Sequence, residues 1–157
     1  MNIVQINAKK KIALVAHDNM KKALLEWAQY NKERLAQHEL YATGSTGALL
    51  SGALGVEVHC FKSGPLGGDQ QIGAKIAEGG IDMVVFFWDP LEPHPHDVDV
   101  KALLRIAVVY NIPIACNRSS ADFVISSHLM YEPYERMVED FEAMQRQRVA
   151  ELQEREG

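Results

Sequence analysis

Residues 63–76, SGPLGGDQQIGAKI, place three glycines and a proline before a single acidic residue, Asp69. An aspartate at a helix start usually caps the helix, since its carboxylate accepts hydrogen bonds from free backbone N–H groups. A cap does not require so many glycines, which indicate a backbone that approaches something closely or takes positive φ values. We therefore expect a molecule to bind beside Asp69.

A second group of reactive side chains lies in residues 89–101, DPLEPHPHDVDVK. His94, His96, Asp97 and Asp99 have types and spacing that could ligate a metal, although no thiolate or HExxH motif supports them. Alternatively, Asp97 caps the following helix and His96 lies on the surface. A third interpretation pairs a neutral histidine, as proton donor, with a carboxylate base next to a carbonyl group.

Residues 43–47, TGSTG, offer hydroxyl groups between glycines at the point where a strand passes into a helix. Such a turn presents backbone N–H groups, hydroxyls and the helix dipole to an anion, most naturally a phosphate. It lacks the GxxxxGK[ST] pattern of a nucleotide P-loop, and a simple N-cap with turn glycines is the alternative. Three residues elsewhere favour phosphate: Lys21, Ser63 and Gly64.

The elements that must position these groups alternate between short apolar runs and helical patterns. Five runs are typical of buried strands: residues 11–17, 38–43, 56–62, 81–88 and 112–117. Helical patterns follow them, as in residues 20–35, 98–110 and 120–126. This alternation predicts right-handed crossovers and a mostly parallel five-stranded sheet that is covered by helices on both faces.

Polar and glycine-rich segments follow these predicted strands, whereas the residues that precede the strands show no such clustering. The exits are His17-Asp18, residues 43–47, Ser63-Gly64, Asp89-Pro90 and Asn117-Arg118. Ligands of open parallel sheets bind outside the carboxyl ends of the strands. The sequence therefore predicts a binding site at this edge of the sheet.

The chain after Tyr131 is rich in Glu, Gln and Arg and predicts a C-terminal helix. The apolar positions at this end form one helical stripe: Tyr134, Met137, Val138, Phe141 and Met144. We favour packing of this helix on its own domain over a surface reserved for a partner. The 157 residues are expected to form one domain, with a core of about 11–128 and a helical tail of about 132–157.

Composition narrows the class of protein. With 47% hydrophobic and 24% charged residues, the chain is typical of a soluble globular protein. Its formal net charge of -5 argues against nucleic acid or an anionic membrane as the main partner. It has no apolar run long enough to span a bilayer and no signal-peptide core at its start, so we expect a cytoplasmic protein. Cys60 and Cys116 lie in apolar runs and are expected to be reduced core residues.

The motifs together resemble the methylglyoxal synthase family, from about Lys11 through Phe123. The resemblance is carried by ALVAHDNMK, LYATGSTG, SGPLGGDQQIGA, FFWDPLEPHPHDVDVKALLR and NIPIACN. It implies an enzyme that converts dihydroxyacetone phosphate to methylglyoxal and inorganic phosphate, without metal or organic cofactor. It also implies a three-layer α/β/α fold of the flavodoxin-like type and a homohexamer that phosphate inhibits.

The resemblance assigns roles residue by residue. Asp69 matches the catalytic base, His96 the residue that hydrogen-bonds the substrate oxygens, and Asp99 a further acidic active-site residue. The other matches are substrate and phosphate contacts: His17, Asp18, Lys21, Thr43, Gly44, Ser45, Thr46, Ser63, Gly64 and Asp89. The family also uses an arginine near its C-terminus, which a gapless count places at Arg148, with Arg146 and Arg155 as alternatives.

Two other functions remain open at this point. Related folds occur as regulatory domains that bind phosphorylated effectors without catalysis, and fold similarity alone does not exclude such a module. The discriminating feature is the joint presence of Asp69, His96 and Asp99, because a sensor needs no proton-transfer set beside its phosphate site. An interaction protein assembled through its acidic tail would instead have no activity and an empty strand edge.

Overall fold

The computed structural model describes residues 1–93 and 97–157, including the backbone but not the side chain of Asp97. In these ranges the strands are β1 (Asn2–Ile6), β2 (Lys11–Ala16), β3 (Glu39–Thr43), β4 (Val58–Phe61), β5 (Met83–Phe87), β6 (Ile114–Ala115) and β7 (Tyr134–Val138). The α-helices are α1 (Lys21–Tyr30), α2 (Lys32–Leu35), α3 (Gly44–Leu54), α4 (Gly68–Ala77), α5 (Asp97–Val109), α6 (Arg118–Ile125) and α7 (Phe141–Glu156).

The main sheet has five parallel strands in the order β4-β3-β2-β5-β6. The order reverses at β2, which pairs with β3 on one side and with β5 on the other. All five residues of β5 and the four central residues of β2 are buried, as expected for strands covered on both faces. The predicted five-stranded parallel sheet is confirmed.

Helices cover both faces of this sheet. On one face, Trp27 of α1 and Leu50 of α3 belong to a core cluster with Leu14 of β2. On the other face, Ile72 of α4 and Leu103 of α5 pack in a second cluster. The chain therefore has the predicted three-layer α/β/α arrangement. Among the described helices, none is long and apolar enough to cross a membrane.

The prediction of a helix from Tyr134 is wrong. Residues 134–138 form β7, which pairs antiparallel with β1 in a separate two-stranded sheet, with Ile3 opposite Met137. In β7 the buried positions are Arg136 and Val138, which follow the two-residue period of a strand and not the helical spacing. The strand forms because its partner is β1, about 130 residues away along the chain. The two-stranded sheet of β1 and β7, here called the ribbon, is bonded to the segment that follows the end of α5. Arg136 donates a hydrogen bond to the Tyr110 carbonyl, and Asn111 donates one to the Met137 carbonyl.

The C-terminal helix begins at Phe141, after Asp140, whose side chain accepts a hydrogen bond from the Ala143 N–H at 3.0 Å. Contrary to the expected packing on its own domain, α7 buries no residue in the described structure. Its contact with the domain is at its start, where the Phe141 ring lies 5.4 Å from that of Tyr110. The helix is present as predicted, but most of its surface is exposed.

The expectation of two core cysteines is wrong for Cys60, which is exposed on the edge strand β4. An apolar run does not distinguish an edge strand from a central one, and an edge strand leaves part of its surface uncovered. Cys116 is half-buried, and burial raises the pKa of its thiol. Both cysteines are free thiols.

Charged groups at the amino ends of the strands are bonded to the chain itself. Lys10 is buried, and its Nζ donates to the carbonyl oxygens of Asn7 and Glu132, at 2.6 Å each. The Lys10 backbone N–H donates to Nδ1 of the buried His38 at 2.9 Å, and that of Lys11 donates to Asp82. Burial lowers the pKa of Lys10. Burial also lowers the pKa of His38, to about 4, and the positive charges of Lys10 and Lys9 add to this shift.

Candidate active site

A cavity lies at the carboxyl edge of the sheet, at the ends of β2, β3 and β4; with the space at its mouth that is open to solvent, its volume is about 530 Å³. Ten residues predicted from the sequence line it: His17, Asp18, Lys21, Thr43, Gly44, Ser45, Thr46, Ser63, Gly64 and Asp69. Parallel strands bring their carboxyl ends to one edge, so three loops far apart in sequence meet at one point. The structure thus brings most of the predicted side chains together.

Asp69 lies in the first turn of α4 and is 4% exposed. The N-cap of this helix is Gly67, so Asp69 does not occupy the cap position. Its negative charge interacts favourably with the positive end of the helix dipole. A carboxylate that lines a cavity yet is shielded from bulk water is well placed to accept a proton from a bound molecule.

The glycines before Asp69 allow close approach, as the sequence predicts. Gly67 has a φ of 108°, a left-handed conformation that favours glycine. A Cβ atom at Gly68 would lie 2.0 Å from the Lys62 carbonyl oxygen, so a larger residue does not fit there. A Cβ atom at Gly64 would lie 3.4 Å from each carboxylate oxygen of Asp69. The loop therefore packs directly against the Asp69 carboxylate.

The turn after β3 forms a cradle of donors. Thr43 has an extended backbone, and α3 starts at Gly44, whose φ is 49°. In the described contacts, the Thr43 side chain does not cap α3, so the first-turn N–H groups are not occupied by that hydroxyl. Thr46 is buried at the cavity wall. Uncapped N–H groups, hydroxyls and a helix dipole together suit a phosphate.

Lys21 supplies the positive charge of this cradle. Its Nζ lies 2.9 Å from an oxygen of Asp18 and donates to the Ser45 hydroxyl at 3.1 Å. The Asp18 side chain is 92% exposed, so water screens this ion pair. A bound phosphate could therefore replace Asp18 as the partner of Lys21, or pair with Lys21 beside it, at a low cost in free energy.

His17 lies at the end of β2, where its ring makes an edge contact with Phe86 at 5.1 Å. Its Nδ1 accepts a hydrogen bond from the Asp89 backbone N–H at 3.0 Å. Because Nδ1 is the acceptor, the neutral imidazole carries its proton at Nε2. His17 is therefore fixed in the tautomer that donates from Nε2.

Asp89 is near this site but does not line the cavity. Its carboxylate accepts hydrogen bonds from the Asn19 side chain at 3.2 Å and from the Leu91 N–H at 3.0 Å. Asn19 also donates to Glu92. Asp89 thus orients His17 through its backbone and fixes its own loop through its carboxylate. Asn19 was not predicted, since nothing in its spacing indicates that contact.

Besides Asp89, three predicted residues are not among the described residues that line the cavity: His96, Asp99 and Arg148. His96 lies outside the described residues, as does His94. Asp99 is half-buried on α5 and Arg148 is exposed on α7, and neither is among the described residues that line the cavity. Of the alternative arginines, Arg146 lies 3.9 Å from Glu142 on the same helix, and Arg155 is exposed in its last turn.

The metal interpretation rests partly on residues that the structure does not describe. In the described ranges no group of three or more His, Cys, Asp or Glu side chains is arranged to hold a metal ion. Of the four candidate ligands, His94, His96 and the Asp97 side chain lie outside those ranges. Chelation of metal ions, followed by an assay of turnover, therefore tests this interpretation.

Comparison with known proteins agrees with the fold and the motifs. A family model described as MGS-like domain matches residues 23–116. A methylglyoxal synthase from Saccharophagus degradans is 57% identical over 145 residues, which cover 92% of this chain and 94% of that protein. One from Yersinia pestis is 56% identical over 144 residues, with the same coverage. The crystal structure of a methylglyoxal synthase from Elizabethkingia anophelis superposes with a TM-score of 0.85 at 50% identity, covering 90% of this chain and 93% of that one.

Proposed function

Because the chain belongs to the methylglyoxal synthase family, we propose that it converts dihydroxyacetone phosphate to methylglyoxal and inorganic phosphate. This reaction makes it a carbon–oxygen lyase that acts on phosphates and uses no metal or organic cofactor. The observation that carries the proposal is the cavity itself, in which a buried carboxylate, Asp69, faces the same space as a phosphate cradle. Proton removal and phosphate departure require this pair of features.

Asp69 is the proposed base of the first step. It takes a proton from the hydroxymethyl carbon, and the electron pair of that C–H bond forms an enediolate with the neighbouring carbonyl. Negative charge then develops on the carbonyl oxygen and must be met by a donor. The family resemblance assigns this donor to His96, and the Nε2–H tautomer of His17 makes it a second candidate donor. Asp99 is proposed as a further acidic residue of the site.

Phosphate leaves in the second step. The hydroxyl group on the first carbon loses its proton and becomes the aldehyde carbonyl, while the π electrons of the enediolate shift to form a carbon–carbon double bond to the phosphate-bearing carbon. The bond from that carbon to the bridging oxygen breaks, and phosphate leaves with its electron pair. The released enolate takes up a proton at its methylene carbon and becomes methylglyoxal. Loss of phosphate is fastest when the breaking bond lies perpendicular to the enediolate plane. A cradle that holds the phosphate in this orientation promotes elimination.

The cradle is the proposed site of the phosphate group. Lys21, the first-turn N–H groups of α3 and three hydroxyls supply donors: those of Thr43, Ser45 and Thr46. Charge-assisted hydrogen bonds are about twice as strong as neutral ones and strengthen as the leaving group gains charge. Ser63 and Gly64 complete the far side of the cavity. Arg148 is retained as a proposed phosphate contact.

The proposal extends to assembly and regulation. We propose that residues 1–157 form one cytoplasmic domain that assembles as a homohexamer, and that inorganic phosphate inhibits by occupying the substrate's cradle. The exposure of α7 leaves a large surface available to another copy of the chain. Sedimentation velocity measures the assembly directly, and a hexamer is the expected species.

Incubation with dihydroxyacetone phosphate tests the reaction. Purified protein is expected to release methylglyoxal and phosphate in equal amounts. If neither product forms while phosphate still binds, the chain is a regulatory module that senses a phosphorylated effector. Release of phosphate without methylglyoxal would indicate a phosphatase.

A further inference from the structure

Gln71, the fourth residue of α4, reaches back across the loop that precedes this helix. Its side-chain Oε1 accepts a hydrogen bond from the backbone N–H of Lys62 at 2.8 Å. Lys62 directly follows β4, so the bond joins the end of the edge strand to the helix that carries Asp69.

The loop inside this bond is closed by its own backbone. The Ser63 carbonyl accepts hydrogen bonds from Leu66 N–H at 3.0 Å and from Gly68 N–H at 2.9 Å, and the Gly64 carbonyl accepts from Gly67. Its conformation is therefore set locally. Its position relative to the rest of the cavity depends on the contacts at its two ends.

Both peptide groups of Lys62 contact α4 at those ends. The Lys62 carbonyl lies so close to Gly68 that a Cβ atom there would be 2.0 Å from it, and the Lys62 N–H is held by Gln71. Asp69 lies between these two helix residues, and its carboxylate packs against Gly64. A shift of α4 relative to Lys62 therefore moves the carboxylate relative to the cavity.

We propose that Gln71 is a positioning residue for Asp69, acting through its hydrogen bond to Lys62. The inference rests on the proposed function, because it concerns the step for which Asp69 is the base. The bond is exposed to solvent and contributes little to global stability. By contrast, displacement of a reacting group by about 1 Å can lower turnover about a hundredfold.

Three variants separate the hydrogen bond from the side-chain volume. Gln71→Met keeps the length of the side chain but removes the acceptor, and kcat is expected to fall about tenfold with KM within about threefold. Gln71→Glu keeps an oxygen acceptor and is expected to stay within about threefold of wild type at the plateau of its pH profile. Gln70→Met is the matched control, since Gln70 is exposed and its side chain makes no hydrogen bond to any described residue.

Hydrogen exchange at the Lys62 amide gives a readout that does not depend on catalysis. Protection of this amide is expected in wild type and Gln71→Glu, and its loss is expected in Gln71→Met. Equal kcat values for Gln71→Met and Gln70→Met, or an equal loss in Gln71→Met and Gln71→Glu, would overturn the inference alone. A wild-type protein without turnover would overturn the proposed function and this inference with it.

Discussion

The two edges of the main sheet use the same residue types in opposite ways. At the carboxyl edge, polar groups line a cavity, and the first turn of α3 is not capped by Thr43. At the amino edge, Lys10 and His38 are buried and bonded to the backbone of neighbouring segments. The difference agrees with the proposal that the carboxyl edge binds a ligand, whereas the amino edge holds the ribbon of β1 and β7 on the domain.

Two lysines make this comparison concrete. The Lys21 side chain is 27% exposed and pairs with an exposed carboxylate, an interaction that a ligand can replace. Lys10 is buried, and its ammonium donates to two carbonyl oxygens from segments at the two ends of the chain. An exposed ion pair is exchangeable, whereas a buried ammonium that loses its acceptors has a large desolvation cost.

The largest expected effect is that of Asp69→Asn. Asparagine has nearly the same size but is no base, so turnover should fall by about a hundred- to ten-thousand-fold. Thermal unfolding and phosphate affinity should change little, as steady-state kinetics and calorimetry would show.

Asp82→Asn at the amino edge is the matched control. The substituted amide can still accept the Lys11 N–H, so turnover is expected to stay near the wild-type value. If Asp69→Asn keeps most of its activity, Asp69 is not the base, and the other carboxylates of the site become the candidates: Asp18, Asp89 and Asp99.

The next largest expected effect is a loss of stability at low pH that is caused by protonation of His38. Its pKa is about 4 in the folded state and about 6.5 in the unfolded chain, so the unfolded state binds more protons between these values. Unfolding free energy should therefore fall by about 3 kcal/mol from this group between pH 7 and pH 4. Denaturant titrations at several pH values measure the fall.

The variant His38→Asn isolates this contribution. Asparagine offers an oxygen to the Lys10 N–H and does not titrate, so its unfolding free energy should decline less steeply over the same pH range. An equally steep decline in the variant would assign the acid sensitivity to other groups.

Removal of the two lysines should separate binding from stability. Lys21→Ala is expected to weaken phosphate and substrate binding by about 1.5 to 3 kcal/mol, the range for hydrogen bonds to charged groups. Lys10→Met should instead lower the midpoint of thermal unfolding and leave phosphate affinity unchanged. Calorimetric titration of both variants with phosphate tests this contrast, and equal affinity losses would contradict it.

The smallest expected effect is that of metal removal. Since neither a thiolate nor an HExxH motif supports the histidine-rich loop, thorough chelation should leave turnover unchanged. Loss of activity that zinc or manganese restores would show that residues 94–99 hold a metal.

Much of the fold could be predicted because buried parallel strands read as continuous apolar runs. The three central strands of the main sheet, β2, β3 and β5, are of this kind. The ribbon of β1 and β7 could not be predicted from the sequence, because each of its strands is short, mostly exposed and paired with a segment at the other end of the chain. Its sequence signal is no stronger than that of an amphipathic helix.

The sequence predicts which loops meet at the site, because the parallel strands place their carboxyl ends at one edge of the sheet. Finer details depend on side-chain geometry that no spacing encodes. The backbone bond from Asp89 to His17 is one example, and the contact of Asn19 with Asp89 is another. The cavity position of Asp99 and Arg148 was predicted from family resemblance, and it stays a prediction.

A crystal structure of Asp69→Asn soaked with dihydroxyacetone phosphate tests the central claim most directly, because a variant without the base should retain its substrate. The account predicts the phosphate on Lys21 and the N-terminus of α3, with the hydroxymethyl carbon about 3.5 Å from the side chain at position 69. Substrate bound at the amino edge, or with its phosphate beside position 69, would contradict it.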